Sequence, residues 1–232
     1  MNGFTRASVS GCLVALAAGA SAQTPATAPP LAATARVVYV EVAPSDVNRA
    51  IALLKVYRQS TQKAAGISNV AVLQQIGRPN LFAIEEHWGD AASLQKHLTS
   101  ADVRKLRDDL QSALVAPIDD RPLAPVAVQP TTRVASDQAV YVLTHADAGA
   151  GREMVPGMLQ EVAAAARREN GNVLFDGTVQ PTRTNHFTVM EVWNDQKAFE
   201  AHQVADHTRK FRAAFAPLSG ALYDERIYKA IN

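Results

Sequence analysis

The chain has 232 residues, 47% hydrophobic and 19% charged, and 23 Lys and Arg against 22 Asp and Glu leave a formal net charge of +1. That balance offers no basic face for nucleic acid or acidic lipid, and the apolar share suits a globular protein with real cores. No apolar run approaches the roughly 18 residues needed to cross a bilayer as a helix, so no membrane span is expected.

Arg6 supplies a small positive region, residues 12–20 a short apolar one, and Ala20-Ser21-Ala22 a small-residue cleavage site. Residues 1–22 therefore read as a secretory signal cut after Ala22, and the expected location is periplasmic. Val9-Ser10-Gly11-Cys12 offers a competing lipoprotein box, although few apolar residues precede Cys12. Cleavage after Ala22 removes the single cysteine and with it disulfide and thiol chemistry. Residues 23–34, QTPATAPPLAAT, form a Pro/Ala/Thr tether expected to be disordered.

A first domain spans residues 35–128. It opens on a β-branched strand at 37–42 that carries Tyr39. Pro44-Ser45-Asp46 starts a helix that runs to residue 65, with Val47, Ala50, Ile51, Leu54 and Tyr57 along one side. Gly66 closes it, where a left-handed residue costs least. Strands at 68–76 and 81–88 are joined by the turn Gly77-Arg78-Pro79-Asn80. Helices follow at 90–97 and 101–114. The last strand, 121–128, contains Pro122 and Pro125 and should be short or at an edge, because proline removes a ladder donor.

Residues 129–137 link to a second domain, 138–232. It reads as a strand at 138–144, a glycine-bearing loop at 145–152, a helix at 154–170 stopped by Asn170-Gly171, and a hairpin of strands at 173–179 and 186–193. Two helices follow, with Asp195 and Asp206 placed to cap them, and a final strand at 222–231. In residues 185–218 the period changes. Phe187, Val189, Glu191 and Trp193 share strand parity. Phe199 and His202 are three apart, and His207, Phe211 and Phe215 four apart, as on helices. Two imidazoles, an indole and a carboxylate are thus brought towards one apolar layer.

The two domains are copies. Setting Asn80 against Asn185, an offset of 105, places Phe82, Glu86, Trp88, Asp90, His97, Arg104, Lys105 and Arg107 on Phe187, Glu191, Trp193, Asp195, His202, Arg209, Lys210 and Arg212 without a gap. Gly66 and Gly171, and Arg121 and Arg226, pair at the same offset. A solenoid repeat runs roughly 20 to 50 residues, so this period is that of a small domain. Each copy reads β-α-β-β-α-β, the ferredoxin-like unit, and the fold class is α+β. Helices cover one sheet face only, yet apolar residues occur at both parities, as with Leu81 and Ile84 or Val189 and Val192. The two antiparallel sheets are therefore expected to pack together as an intramolecular pseudo-dimer.

At Glu-x-Trp-x-Asp…His, followed by His-x-x-x-Phe, the chain resembles the antibiotic biosynthesis monooxygenase family, dimeric α+β barrel proteins that include cofactor-independent quinol and anthrone oxygenases. The resemblance covers residues 36–128 and 138–232 and fits the second copy better. It implies oxidation of a quinol or polyphenol with O2 as co-substrate and no cofactor. Such chemistry asks for a base that takes a phenolic proton, an apolar slot for a planar ring, and stabilisation of the anion. The implied catalytic residues are His202 and His207 as bases and Glu191 as the group that orients a histidine. Trp193, Tyr141, Phe187 and Phe211 would sandwich the ring, and Arg209 would meet the anion. The first copy keeps Glu86, Trp88, His97 and Tyr39 as a degenerate equivalent, with Asp102 where His207 sits. Haem breakdown is disfavoured, because the axial histidine of haem-degrading relatives would fall at Arg107 and Arg212.

The competing readings are structural. Glu191 and His202 would be a buried pair fixing helix to sheet, Trp193 a core filler, and the protein a non-catalytic binder of a small ligand, or a scaffold. The pair Arg209-Lys210 would then be a solvated helix face. His145 with Asp147 is too small a donor set for a metal, and none is expected. No phosphate loop, Ser-His-Asp arrangement or dinucleotide fingerprint occurs. The partner implied is a small aromatic molecule, and further association of pseudo-dimers into a homo-oligomer stays open.

Overall fold

The computed structural model describes residue 1, residues 32–130 and residues 132–231. The expected signal, the lipoprotein box and the tether up to residue 31 lie outside the described residues.

The first copy runs β1 (Ala35–Glu41), α1 (Val47–Thr61), β2 (Ile67–Gln75), β3 (Leu81–Trp88), α2 (Ala91–Leu98), α3 (Ala101–Leu110) and β4 (Asp119–Ala127). The second runs β5 (Val140–Asp147), α4 (Val155–Ala166), β6 (Asn172–Gln180), β7 (Arg183–Trp193), α5 (Gln196–Gln203), α6 (Asp206–Phe215) and β8 (Asp224–Ala230). The strands close in the order β1-β3-β2-β8-β5-β7-β6-β4. The two sheets do more than face each other: β2 hydrogen-bonds to β8 and β4 to β6, all antiparallel. Among the described residues, closure leaves no strand edge exposed.

β4 corrects the expectation of a short edge strand. It has nine residues and is paired on both sides, with β1 and β6. Pro125 is tolerated because the register with β6 shifts between Pro125 and Ala127, a bulge that absorbs the missing donor, and Pro122 lies before the part of β4 that pairs with β6.

Alternation sorts most strand side chains into three large cores, with a small fourth cluster of Ala139, Val173 and Val192. Val37, Leu73, Leu123, Leu143, Met190 and Tyr228 fill the barrel. Val38, Val40, Phe82 and Ile84 face α1 and α3 in the first copy. Phe175, Phe187, Val189 and Trp193 face α4, α5 and α6 in the second. Asp90 and Asp195 cap α2 and α5, accepting from the Ser93 and Ala198 amides at 2.8 Å each. Asp206 is not a cap. The cap position of α6 is Ala205, and Asp206 lies in the first turn, where its charge still suits the helix dipole.

Gly171 ends the α4 segment with φ at 86° and sits so close under α5 that a Cβ there would lie 2.5 Å from the Ala198 Cβ. Strain and overlap act together, so Gly171→Ala is expected to destabilise the fold by about 1–3 kcal/mol. A denaturation midpoint equal to that of the parent would show that the α5 contact gives way instead.

Candidate functional site

The two copies hold the same three side chains in different company. In the first, Glu86 and Trp88 project from β3 and His97 comes down from α2. Trp88 Nε1 donates to Glu86 Oε2 at 3.2 Å, and His97 Nε2 lies 3.6 Å from that oxygen. β1 adds Arg36, directly across the ladder from Glu86. Its Nη2 donates to Glu86 Oε1 at 3.2 Å and to the Tyr57 hydroxyl at 2.8 Å. Its Nε lies 3.0 Å from Glu86 Oε2, at ion-pair distance without hydrogen-bond alignment. Tyr57 donates to Glu86 Oε1 at 2.6 Å. That commits the phenolic proton, so His97 Nε2, at 2.8 Å, is the donor to the hydroxyl oxygen. Glu86 is fully buried. Burial alone would raise its pKa. The adjacent His97 imidazole, the Arg36 charge and the Tyr57 hydrogen bond outweigh burial and hold it below the usual carboxylate value. This is a buried network in which the carboxylate is held from three sides.

In the second copy Trp193 Nε1 donates to Glu191 Oε2 at 2.8 Å, and His202 Nε2 again lies 3.6 Å from that oxygen. The cation is gone: Val142 stands across the ladder from Glu191, where Arg36 faces Glu86. The phenol is gone too. α1 buries Ala50, Leu54, Tyr57 and Thr61, and α4 buries Val155, Leu159, Val162 and Ala166 at the same spacing, which puts Val162 in the place of Tyr57. Glu191 is pushed up to about 8, chiefly by burial, against the pull of the Trp193 donor and of the Arg212 charge. New partners reach His202 from the opposite side. Glu169 Oε1 lies 2.6 Å from His202 Nδ1 and 2.8 Å from His207 Nε2. The Thr208 hydroxyl is 3.3 Å from the His202 ring nitrogens. Trp193 stacks on the His202 ring at 4.5 Å, and Phe175 meets it edge-on at 5.6 Å. Burial lowers the His202 pKa, with Glu169 opposing.

Glu191, Trp193, His202 and His207 therefore do come together. Trp193 and His202 are sealed, at 0% and 3% exposure, while the His207 and Glu169 side chains, 28% and 18% exposed, form the solvent edge. The other expected members do not join. Tyr141 lies on the opposite sheet face and packs with the barrel core. Phe187 and Phe211 belong to the sheet–helix core, where Phe211 stacks on Phe215 at 5.9 Å. Arg209 is exposed. Glu191 orients His202 less directly than Glu169 does.

Sequence reasoning missed Glu169, Thr208 and Phe175. The signal was present in the repeat: at the offset of 105 they replace Ala64, Val103 and Val70, while His207 replaces Asp102. Four changes cluster around one retained histidine.

His145 is also not where the sequence suggested. It lies within β5, buried, and the loop begins after Asp147. It pairs with Thr188 and Asp224, just as Tyr39 pairs with Ala83 and Asp119, so Tyr39 matches His145 and not Tyr141. The two meet across the pseudo-twofold, Tyr39 Oη to His145 Nε2 at 2.7 Å. Burial, with Arg121 and Arg226 adding like charge, pushes His145 down to about 3. His145 and Asp147 do not converge, since Asp147 pairs with His186 at 2.7 Å. Tyr39, Tyr228, Arg226, Asp119 and Asp224 line a cavity of about 390 Å³ at this barrel mouth, between the halves.

Two ferredoxin-like copies closed into one eight-stranded barrel define a dimeric α+β barrel carried by a single chain. The family model for antibiotic biosynthesis monooxygenase matches residues 34–109 and again 140–214, and the chain belongs to that family. Among solved structures it is similar to a candidate monooxygenase of Fusobacterium nucleatum, at 11% identity and a TM-score of 0.78 over 87% of this chain and 94% of that one. A candidate monooxygenase of Lactobacillus acidophilus gives 12% identity and 0.72 over 87% and 95%. An anthrone oxidase-like protein gives 10% and 0.64 over 85% and 91%. These identities establish a shared fold. No curated protein matches the chain in sequence.

Proposed function

We propose that the protein is a monooxygenase that oxidises an electron-rich phenol of the quinol type with O2, and that the second copy carries the chemistry. The observation behind this reading is the Glu169–His202–His207 group under Trp193, which the first copy lacks. A phenol arriving at the half-exposed edge meets Glu169 and His207 first. Its proton passes to the imidazole–carboxylate pair, and the phenolate is rich enough to give an electron to O2. Recombination puts one oxygen atom on the ring, and the second leaves as water with the two protons lost by the quinol. All electrons come from the substrate, so the scheme calls on no cofactor. The first copy, its carboxylate tied down by Arg36, serves as the structural partner.

Oxygen uptake with substituted hydroquinones tests this. His202→Ala is expected to lower the rate by about 10²–10⁴-fold, the range of a lost general base. Uptake unaffected by that change would end the catalytic claim. A second reading, a non-catalytic binder, is favoured by the sealed Trp193. The ligand would then sit in the cavity at the barrel mouth, and a hydroquinone would raise the melting temperature without any oxygen uptake.

A further inference from the structure

Three donor atoms converge at the edge of the second copy: Glu169 Oε1, His202 Nδ1 and His207 Nε2 lie within 4.8 Å of one another, and among the described residues no other three His, Cys, Asp or Glu side chains do so. They come from three places fixed by packing. Glu169 follows α4 just before Gly171, His202 is in the last turn of α5, and His207 is in the first turn of α6. Two imidazoles and one carboxylate, with a solvent side left open, are the donor set taken by divalent transition metals such as zinc and iron(II).

Two independent features fit a metal ligand better than a simple ion pair. Histidines that bind metals lean on a carboxylate through the other ring nitrogen. His202 has one close by: its Nε2 lies 3.6 Å from Glu191 Oε2, just outside hydrogen-bond distance, and Trp193 Nε1 holds that oxygen at 2.8 Å. The group also has an outlet. His207 and Glu169 are partly exposed, so an ion has a path in and room for water at its remaining positions. The first copy is the internal control. Ala64 and Asp102 stand where Glu169 and His207 do, while His97 keeps its Nε2 on Tyr57.

We propose that Glu169, His202 and His207 bind one divalent transition-metal ion per chain. Without the ion, Glu169 bridges the imidazoles by hydrogen bonds of 2.6 and 2.8 Å. With zinc at roughly 2.0–2.2 Å from each donor, tetrahedral donors stand about 3.4 Å apart, so Glu169 Oε1 draws back from each imidazole nitrogen by roughly 0.6–0.8 Å. The ion takes the lone pairs that accept the phenolic proton, so loading it slows oxygen uptake. Only that last consequence rests on the oxygenase reading; binding itself does not.

The test uses the full chain, stripped with a chelator and titrated with zinc chloride by calorimetry and with cobalt(II) by visible absorption, without substrate. One equivalent is expected, with cobalt bands of a nitrogen- and oxygen-ligated ion. Glu169→Gln, which keeps the side-chain shape, and His207→Ala, at a half-exposed position, should each weaken zinc binding at least tenfold. Asp102→Ala should leave it unchanged. Failure of the stripped chain to bind zinc overturns the proposal, as does binding that Glu169→Gln and His207→Ala leave intact. These outcomes are read without turnover, so they do not depend on whether a quinol is oxidised.

Discussion

Replacing Arg36 with methionine should cost the fold about 3–5 kcal/mol, the usual penalty for stranding one member of a buried ion pair. Arg36 is 2% exposed and Glu86 not exposed at all, so water cannot replace the lost guanidinium. Tyr57 and Trp88 still donate to Glu86, but the guanidinium that balances its charge is gone. Adding Glu86→Gln should return most of the loss, because the network then buries no net charge. Equilibrium urea unfolding of the three proteins at pH 7 measures both steps. The two changes share one network, so strong non-additivity is itself part of the expectation. If Arg36→Met alone costs less than about 1 kcal/mol, a scale set by exposed pairs, the network is not what holds β1 and β3 to the helices. pH should act in a set direction as well. The Glu86 pKa lies below its ordinary value in the fold, so its contribution is present above the unfolded value and fades as pH falls through the folded one.

The second copy carries that same loss of charge by descent. Val142 faces Glu191, and no guanidinium enters from β5. One duplicated pocket has become a locked brace and the other a group free to titrate. This divergence also decides what could be read beforehand. The fold was legible because β7 alternates cleanly, the helices keep their spacing, and the copies match at a constant offset through the region that matters. The Glu–Trp–His triad was legible for the same reason. Glu169 was not, because Arg167-Arg168-Glu169-Asn170 looks like a solvated helix end, and only tertiary approach of α5 and α6 turns it inward. His145 was hidden by Gly149 and Gly151, whose loop character spreads backwards over His-Ala-Asp, a stretch with little apolar alternation. Ladder bonds to Thr188 and Asp224 keep that stretch extended. Tyr141 was misplaced because Tyr39 was matched to another tyrosine, when the ladder matches it to His145. Barrel closure through β4 was obscured by prolines that a bulge accommodates.

Raising the pH from 5 to 9 should destabilise the parent protein relative to Glu191→Gln. The Glu191 pKa is pushed from 4.5 up to about 8 in the fold, so between those values the folded state holds a proton that the unfolded chain has released. Stability must then fall as pH rises through this window and level off above it. The difference between the two proteins should be on the order of a few kcal/mol, each pKa unit being about 1.4 kcal/mol. His202, whose pKa is lowered, acts in the opposite sense: its contribution is lost as pH falls below the ordinary histidine value. Because His202 lies 3.6 Å from Glu191, the difference between the two curves reports the carboxylate together with its coupling to that imidazole. Urea midpoints at pH 5, 7 and 9, with chelator present, give the comparison. Parallel curves would mean that Glu191 is already ionised at neutral pH and compensated by a proton on His202. A widening gap would mean that Glu191 is neutral there, leaving His202 uncharged and able to accept a proton, with Glu169 as the one carboxylate positioned to hold it once it does.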